Sequence, residues 1–198
     1  MFNGLAAARP GSHMHSQIGL NQYRAGVPSN EFEFFAAPQY QGRQRQSMWC
    51  WAACIQMILN YHGLYVSQEQ IVQRAFGQLV NSPAFLNQML LALSGWAPDT
   101  RGRASTIHAT LLGATPAQIV ADLSNNWPLI VGFRGSPIGH ACVLTAVEYM
   151  QFFFPGIPFI TKAICRDPWP GNFSKQWALW AYFQFRSAYL VRVWVNRL

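Results

Sequence analysis

Residues 48–63 carry the strongest secondary-structure signal in this chain. The segment reads MWCWAACIQMILNYHG, and its apolar residues recur at the three- and four-residue spacing of an α-helix. The side chains that share one face are Cys50, Ala53, Cys54, Met57, Ile58 and Tyr61. Gly63 can adopt the left-handed conformation that commonly ends a helix. The pattern predicts an amphipathic helix that begins near Cys50 and packs against a core.

The cysteine at the start of this helix is a candidate nucleophile. First-turn N–H groups lack intrahelical acceptors, and together with the helix dipole they favour a negatively charged thiolate. A neighbouring imidazole would strengthen that effect. The alternative is that Cys50 is a small buried hydrophobic residue, which is the commoner role of a cysteine on an apolar face. That structural role is the prediction for Cys54, one turn further along the same face.

Composition indicates a folded domain and argues against two kinds of partner. The 198 residues are 51% apolar and 15% aromatic, enough for one domain with a real core. No apolar run approaches the roughly 18 residues of a membrane span, and no signal peptide is visible near the start. The net charge of +7 arises from scattered Arg and Lys residues. A solvated surface is therefore expected, and nucleic-acid binding is not.

The acidic and cysteine residues argue against other kinds of site. Only seven Asp and Glu are present, and Glu31 and Glu33 are the one closely spaced pair, so paired-carboxylate hydrolysis is not predicted. The four Cys lack the CxxC pairs of a structural zinc site. Cys142 and Cys165 could form a disulfide on neighbouring strands, although free thiols are the prediction. No metal and no cofactor are expected.

The first part of the chain is predicted to be an arm followed by helices. Residues 1–38 are rich in Gly, Asn, Gln and Pro and predict an irregular arm. Within it, residues 11–14 read GSHM, the remnant that a cleaved expression tag leaves, so residues 1–14 are expected to be non-native. N-cap patterns predict three helices, from Ser67 to about 76, from Ser82 to about 93 and from Thr115 to 123.

The second part of the chain is predicted to be a sheet. β-Branched and aromatic residues indicate strands at 129–133, 140–147, 159–166 and 182–195. The whole is an α+β fold, with a helical part at 39–125 packed against an antiparallel sheet at 126–198. A cleft between the two layers would bring the Cys50 helix close to the strands.

Two residues of the predicted sheet could complete a catalytic group with Cys50. His140 follows Gly139 and opens an apolar strand, so its ring would be held at the edge of a cleft. Asp167 follows another strand and could orient the imidazole by accepting a hydrogen bond from one ring nitrogen. Each residue alone has a structural explanation, as a core histidine or as an aspartate that starts a turn before proline. His62, in contrast, suits the end of a helix.

Together these motifs resemble the papain-like cysteine peptidases. The matching pieces are Cys-Trp-Ala at 50–52 with a Gln upstream, Gly-His-Ala at 139–141 and Asp-Pro-Trp at 167–169. The resemblance covers about residues 39–173 and is closest to bacterial branches, which include plant-pathogen effector proteases and bacteriocin-leader peptidases. The phrase QSMWCWAAC at 46–54 is similar to the effector-type members.

The resemblance implies a role for each matching residue. Cys50 would be the nucleophile, His140 the general base and then acid, and Asp167 the residue that orients the ring. In this family a glutamine six residues before the nucleophile donates to the oxyanion; Gln44 has that spacing, and Gln46 is the alternative. The backbone N–H of Cys50 would be the second donor. The implied domain is 39–198.

The resemblance also implies a biological role. We expect hydrolysis of a protein or peptide substrate through a thioester acyl-enzyme, by an effector or toxin that a bacterium secretes or injects into a target cell. An immunity or inhibitor protein is a possible partner. The alternatives are a glutamine deamidase or transglutaminase on the same scaffold, and a catalytically silent peptide-binding module. Substrate preference is expected to come from Trp49, Trp51 and a loop at 95–114.

Overall fold

A computed structural model describes residues 15–36, 42–93, 95–96, 105–112, 115–135, 139–152 and 156–197. The helices are α1 (Ser29–Ala36), α2 (Cys50–Tyr61), α3 (Gln68–Phe76), α4 (Leu86–Leu93), α5 (Pro116–Ser124) and α6 (Trp180–Arg186). The strands are β1 (His15–Gly19), β2 (Gln22–Gly26), β3 (Gly95–Trp96), β4 (Ser105–Leu112), β5 (Leu129–Phe133), β6 (His140–Met150), β7 (Phe159–Arg166), β8 (Lys175–Leu179) and β9 (Ser187–Arg197). None of the helices in these ranges is both long and apolar enough to cross a bilayer.

The strands form one antiparallel sheet that is organised around β6. Along one edge of β6, β5 pairs with residues 140–144 and β2 pairs with residues 146–150. β7 pairs with the other edge and is followed by β8. Beyond β5 the order continues through β9, β4 and β3. The first residue of β6, His140, therefore lies at one end of the central strand.

Helices cover both faces of the sheet. Ile130 and Val143 point to the face on which α1 to α4 pack, with α2 at the centre of that core. Leu129 and Leu144, one residue away on the same strands, point to the opposite face, where α5 and α6 pack. The predicted α+β class, with the Cys50 helix against an antiparallel sheet, is confirmed. The sequence did not predict that helices also cover the second face of the sheet, where α5 and α6 pack away from the other helices.

Helix α2 is buried on every side. All residues from Trp51 to Tyr61 are buried, whereas the sequence predicted an amphipathic helix with one apolar face. The polar members of the helix are satisfied internally: the Gln56 side chain donates to the Val66 carbonyl, and the Asn60 side chain accepts from the Val66 N–H. Gly63 follows the helix at φ +83°, the left-handed stop that the sequence predicted.

Two of the predicted helix starts are confirmed and one is wrong. Ser67 and Thr115 each form a capping box, with Gln70 and Gln118 respectively. The helix predicted from Ser82 instead begins at Leu86, and the Ser82 hydroxyl bonds locally to the Pro83 carbonyl. The Ser82 backbone carbonyl is also occupied, because it accepts the Trp51 indole N–H.

The predicted irregular arm is wrong for the residues that the structure describes. β1 and β2 form a hairpin with Asn21 at φ +53°, and β2 extends the sheet through β6. Helix α1 is tied to the end of β7, because the buried Arg166 guanidinium contacts Glu33 and donates to the Ser29 carbonyl. The hairpin strands consist largely of polar and small residues, so the sequence pattern did not predict that they pair. Residues 1–14 and the boundary at 38/39 lie outside the described residues.

Two further boundaries differ from the prediction. The strand predicted at 182–195 divides into α6 and β9, because the aromatic residues Trp180 and Phe183 are spaced to bury one face of a short helix. Part of the region predicted as the loop 95–114 forms β3 and β4, and β4 pairs with β9 along its whole length. The division into a helical part and a sheet part is therefore only approximate.

Candidate active site

Cys50 occupies the first position of α2, and that helix end has no side-chain cap. Trp49 precedes it without making a capping bond, whereas α3 and α5 both begin with capping boxes. The first-turn N–H groups of α2 therefore remain available to an anion. Among the four free cysteines, Cys50 alone is half-buried. Burial raises the pKa of Cys54 and of Cys165 well above the ordinary value, which suits inert core thiols.

His140 joins Cys50 to Asp167. The ring atom Nε2 lies 2.7 Å from Asp167 Oδ1. Burial lowers the pKa of His140, but the hydrogen bond to Asp167 and the contacts with the Cys142 and Cys50 thiols outweigh burial, and the pKa is raised. The ring is therefore stabilised as the imidazolium, and it lines the same cavity as Cys50. The structure brings the three residues singled out in the sequence into one cluster.

Asp167 is held by several donors. Its Oδ1 also accepts the Trp169 backbone N–H at 2.8 Å, and its Oδ2 accepts the Asn172 amide at 2.7 Å. Burial raises the pKa of Asp167, whereas the hydrogen bonds from His140, Trp169 and Asn172 lower it, and the pKa is lowered overall. The carboxylate is thus charged and fixed in orientation opposite the imidazole.

Arg43 links the segment before α2 to the loop that carries Asp167. The Arg43 guanidinium donates to the backbone carbonyls of Asp167 and Asn172, and Arg43 is only 9% exposed. Next to it, the Gln44 N–H donates to the Pro168 carbonyl at 2.9 Å. Sequence reasoning missed Arg43 and Asn172. The one signal in the sequence that could have pointed to Arg43 is its position directly before Gln44. A buried arginine has no sequence signature of its own.

The two candidate oxyanion donors differ in burial. Gln44 is buried, and its amide nitrogen donates to the carbonyls of Gln46 and Ser47 at 2.9 and 3.0 Å. Gln46 is exposed. Both residues line a cavity of about 270 Å³ with Trp169, separate from the one that contains Cys50. In this arrangement both Gln44 amide hydrogens are committed to carbonyls, so the donor assignment stays a prediction.

Two cavities meet at His140. One, of about 380 Å³, is lined by Cys50, Trp51, Pro83, Ala84, Gly132, Phe133, Arg134, Gly135, Gly139, His140, Ala141, Ala188 and Tyr189. The other, of about 360 Å³, is lined by Phe133, His140, Cys142, Cys165, Asp167, Asn172, Gln176, Trp177, Ala178, Tyr182, Phe183 and Arg186. Of the predicted specificity residues, Trp51 lines the first cavity. Trp49, which is also buried, is among the lining residues of neither cavity, and its indole N–H donates to the Val80 carbonyl.

Two glycines that line the Cys50 cavity let neighbouring atoms approach the backbone closely. A Cβ on Gly132 would lie 2.2 Å from the Tyr189 ring, so the ring occupies the place of a side chain on that strand. A Cβ on Gly139 would lie 2.6 Å from the Phe133 carbonyl oxygen. The close neighbour of Gly139 is therefore backbone.

Residues 35–193 match the model of the Peptidase_C39 like family. The chain belongs to that family. It is a papain-like cysteine peptidase, as the resemblance in its motifs implied. No curated protein matches the chain at a significant level.

Two solved structures align with the chain. The peptidase domain of Streptococcus ComA, a bi-functional ABC transporter of a quorum-sensing pathway, aligns with a TM-score of 0.53 at 14% identity, over 79% of this chain and 96% of that one. A double glycine motif protease from an AMS/PCAT transporter, solved with its leader peptide, aligns with a TM-score of 0.49 at 14% identity, over 79% and 89% of the two chains. At such identity the likeness to ComA is one of fold.

Proposed function

We propose that this peptidase cleaves peptide bonds with Cys50 as nucleophile, His140 as general base and acid, and Asp167 as the residue that orients the ring. The observation that carries the proposal is that Cys50 and His140 line one cavity, while His140 Nε2 lies 2.7 Å from Asp167 Oδ1. Because Nε2 is bonded to the carboxylate, Nδ1 is left to exchange a proton with the thiol.

The reaction would proceed in two steps. The Cys50 thiolate attacks the carbonyl carbon of the scissile bond, and the imidazolium gives its proton to the leaving amine, which leaves a thioester. The ring then accepts a proton from water, and the hydroxide equivalent attacks the thioester carbonyl, which releases the acid and regenerates the Cys50 thiolate beside the imidazolium. The developing oxyanion would be stabilised by the N–H of Cys50 at the uncapped start of α2. Gln44 could add a second donor if its amide left one of its two carbonyl partners.

The test is turnover of a peptide library, read by mass spectrometry, with two matched variants. Cys50→Ala should abolish cleavage and keep the melting temperature close to that of the wild type, because Cys50 is half-buried. Cys54→Ala should lower stability and leave cleavage measurable, since Cys54 is a fully buried core residue. The reverse pattern would show that Cys54 is the nucleophile. Glutamine converted to glutamate in uncleaved peptides would favour deamidation instead.

We further propose that the protein is an effector or toxin, secreted or injected by a bacterium, that cleaves a protein inside a target cell. The support is the likeness of residues 46–54 to the effector-type members of the papain-like peptidases. An immunity or inhibitor protein would then have to cover the Cys50 cavity. Expression inside candidate target cells tests this proposal: the wild type should impair growth and Cys50→Ala should not. Equal growth would contradict the effector role and leave the peptidase chemistry unaffected.

A further inference from the structure

A second thiol, that of Cys142, lies near His140 and lines the cavity that does not include Cys50. Cys142 is two residues along β6, so its side chain shares a face of the strand with His140. Arg166 of β7 pairs with Val143. Because the strands run antiparallel, Cys142, just before that pair on β6, and Asp167, just after β7, are brought close together. The catalytic mechanism uses Asp167 and does not use Cys142.

These three side chains form a compact set of metal ligands. A ring nitrogen of His140, the sulfur of Cys142 and a carboxylate oxygen of Asp167 all lie within 4.8 Å of one another. Zinc bonds of about 2.0–2.3 Å place the donors roughly 3–4 Å apart, so only small side-chain movements are needed. The contact between Nε2 and Asp167 Oδ1, now 2.7 Å, would have to open to admit the ion. Nitrogen, sulfur and oxygen donors together suit zinc better than magnesium or calcium.

The cavity beside these residues offers the ion a route and a fourth position. Its volume of about 360 Å³ borders His140, Cys142 and Asp167 together. Three protein ligands with an open position for water is a common arrangement around zinc. The remaining hydrogen bonds to Asp167, from Trp169 and Asn172, can persist and orient the carboxylate as a ligand.

We propose that His140, Cys142 and Asp167 bind a zinc ion that inhibits the peptidase. The ion displaces the proton on His140 Nε2 and the proton of the Cys142 thiol, and both protons pass to solvent. One dication replaces two protons, so the net charge of the site is unchanged. The bound ring keeps its proton on Nδ1 and loses direct contact with Asp167. It can then neither accept the Cys50 proton nor readily protonate a leaving amine.

The experiment is zinc binding to the full chain, measured by competition with a colorimetric chelator, and therefore does not depend on peptidase activity. Wild type and Cys50→Ala should each bind one equivalent. Cys142→Val and the more conservative Cys142→Ser should each weaken binding at least about 100-fold, because a direct ligand is lost. The matched control is Cys165→Val, which removes another buried thiol from the same cavity and should bind as the wild type does.

Cobalt serves as a spectroscopic probe that does not require a Cys142 variant to fold. Cys50→Ala loaded with Co²⁺ should show a thiolate-to-metal charge-transfer band, and Cys165→Val should show the same band. Three results would overturn the proposal: no stoichiometric binding by the wild type, loss of binding in Cys50→Ala, or unchanged zinc affinity in both Cys142 variants. If the chain binds zinc in this pattern and yet cleaves no peptide, the metal site stands and the proposed function fails.

Discussion

Replacement of Arg43 by methionine should both destabilise the protein and impair the site. Methionine keeps much of the apolar stem and removes two charge-assisted donors, one to the Asp167 carbonyl in a buried setting and one to the Asn172 carbonyl in a part-buried setting. Such hydrogen bonds contribute roughly 1.5–3 kcal/mol each, so we expect a loss of about 3–5 kcal/mol in the free energy of unfolding. For a chain of this size that is a fall of about 10 °C in melting temperature.

The neighbouring Arg45 provides a matched control. Its guanidinium binds both carboxylate oxygens of Glu69, at 2.8 and 2.9 Å, but its side chain is 40% exposed. Arg45→Met should therefore cost no more than about 1 kcal/mol, because exposed ion pairs contribute little. Both variants would be compared by urea unfolding and by peptide turnover at a temperature where each is folded.

Arg43→Met should also lose turnover at least about ten-fold, because the loop that orients Asp167 is released from the segment before Cys50. Equal unfolding free energies for the two variants would refute the reasoning about burial. Unchanged turnover with the expected destabilisation would show that Arg43 stabilises the fold without positioning the site.

Three other predictions concern the imidazole, an ion pair and a helix cap. His140→Ala should slow alkylation of Cys50 by iodoacetamide near neutral pH, and an unchanged rate would argue against an ion pair between them. Burial raises the pKa of Glu148, but its ion pairs with Lys162 and Arg24 outweigh burial, and the pKa is lowered. The contribution of Glu148 to folding stability is therefore present above about pH 4.5 and is lost as the pH falls through the lowered pKa. In acid titrations followed by circular dichroism, Glu148→Gln should start about 1 kcal/mol less stable and lose less on acidification; parallel curves would contradict this. Thr115→Ala should cost about 1 kcal/mol in urea unfolding, and no change would show that the capping box of α5 is dispensable.

The sequence was most informative where local chemistry determines the structure. The capping patterns correctly predicted where α3 and α5 begin. The β-branched and aromatic residues predicted both ends of β5 and of β7 at the residues where the structure has them. The same rules were misleading at Ser82, where a cap pattern occurs without a helix. There the segment instead supplies a carbonyl to the Trp51 indole, and such a tertiary contact has no local pattern.

The sequence predicted the candidate catalytic residues, but it did not predict the residues that hold them in position. Cys50, His140 and Asp167 belong to motifs whose types and order are characteristic, so they could be chosen before their positions were known. Arg43 and Asn172 act through backbone carbonyls and a carboxylate that only the folded chain brings near them. Cys142 was considered only for a disulfide, because its contact with His140 depends on the two residues sharing a face of β6.

Because α2 is enclosed by protein along its length, the residues that a substrate could meet belong mostly to other elements. Pro83, Ala84, Arg134 and Ala188 border the Cys50 cavity, and they come from three separate stretches of chain. An engineer who wished to redirect cleavage could therefore randomise those positions and leave residues 51–61 untouched. Selectivity and thermal robustness would then be adjustable by different sets of mutations in the same enzyme.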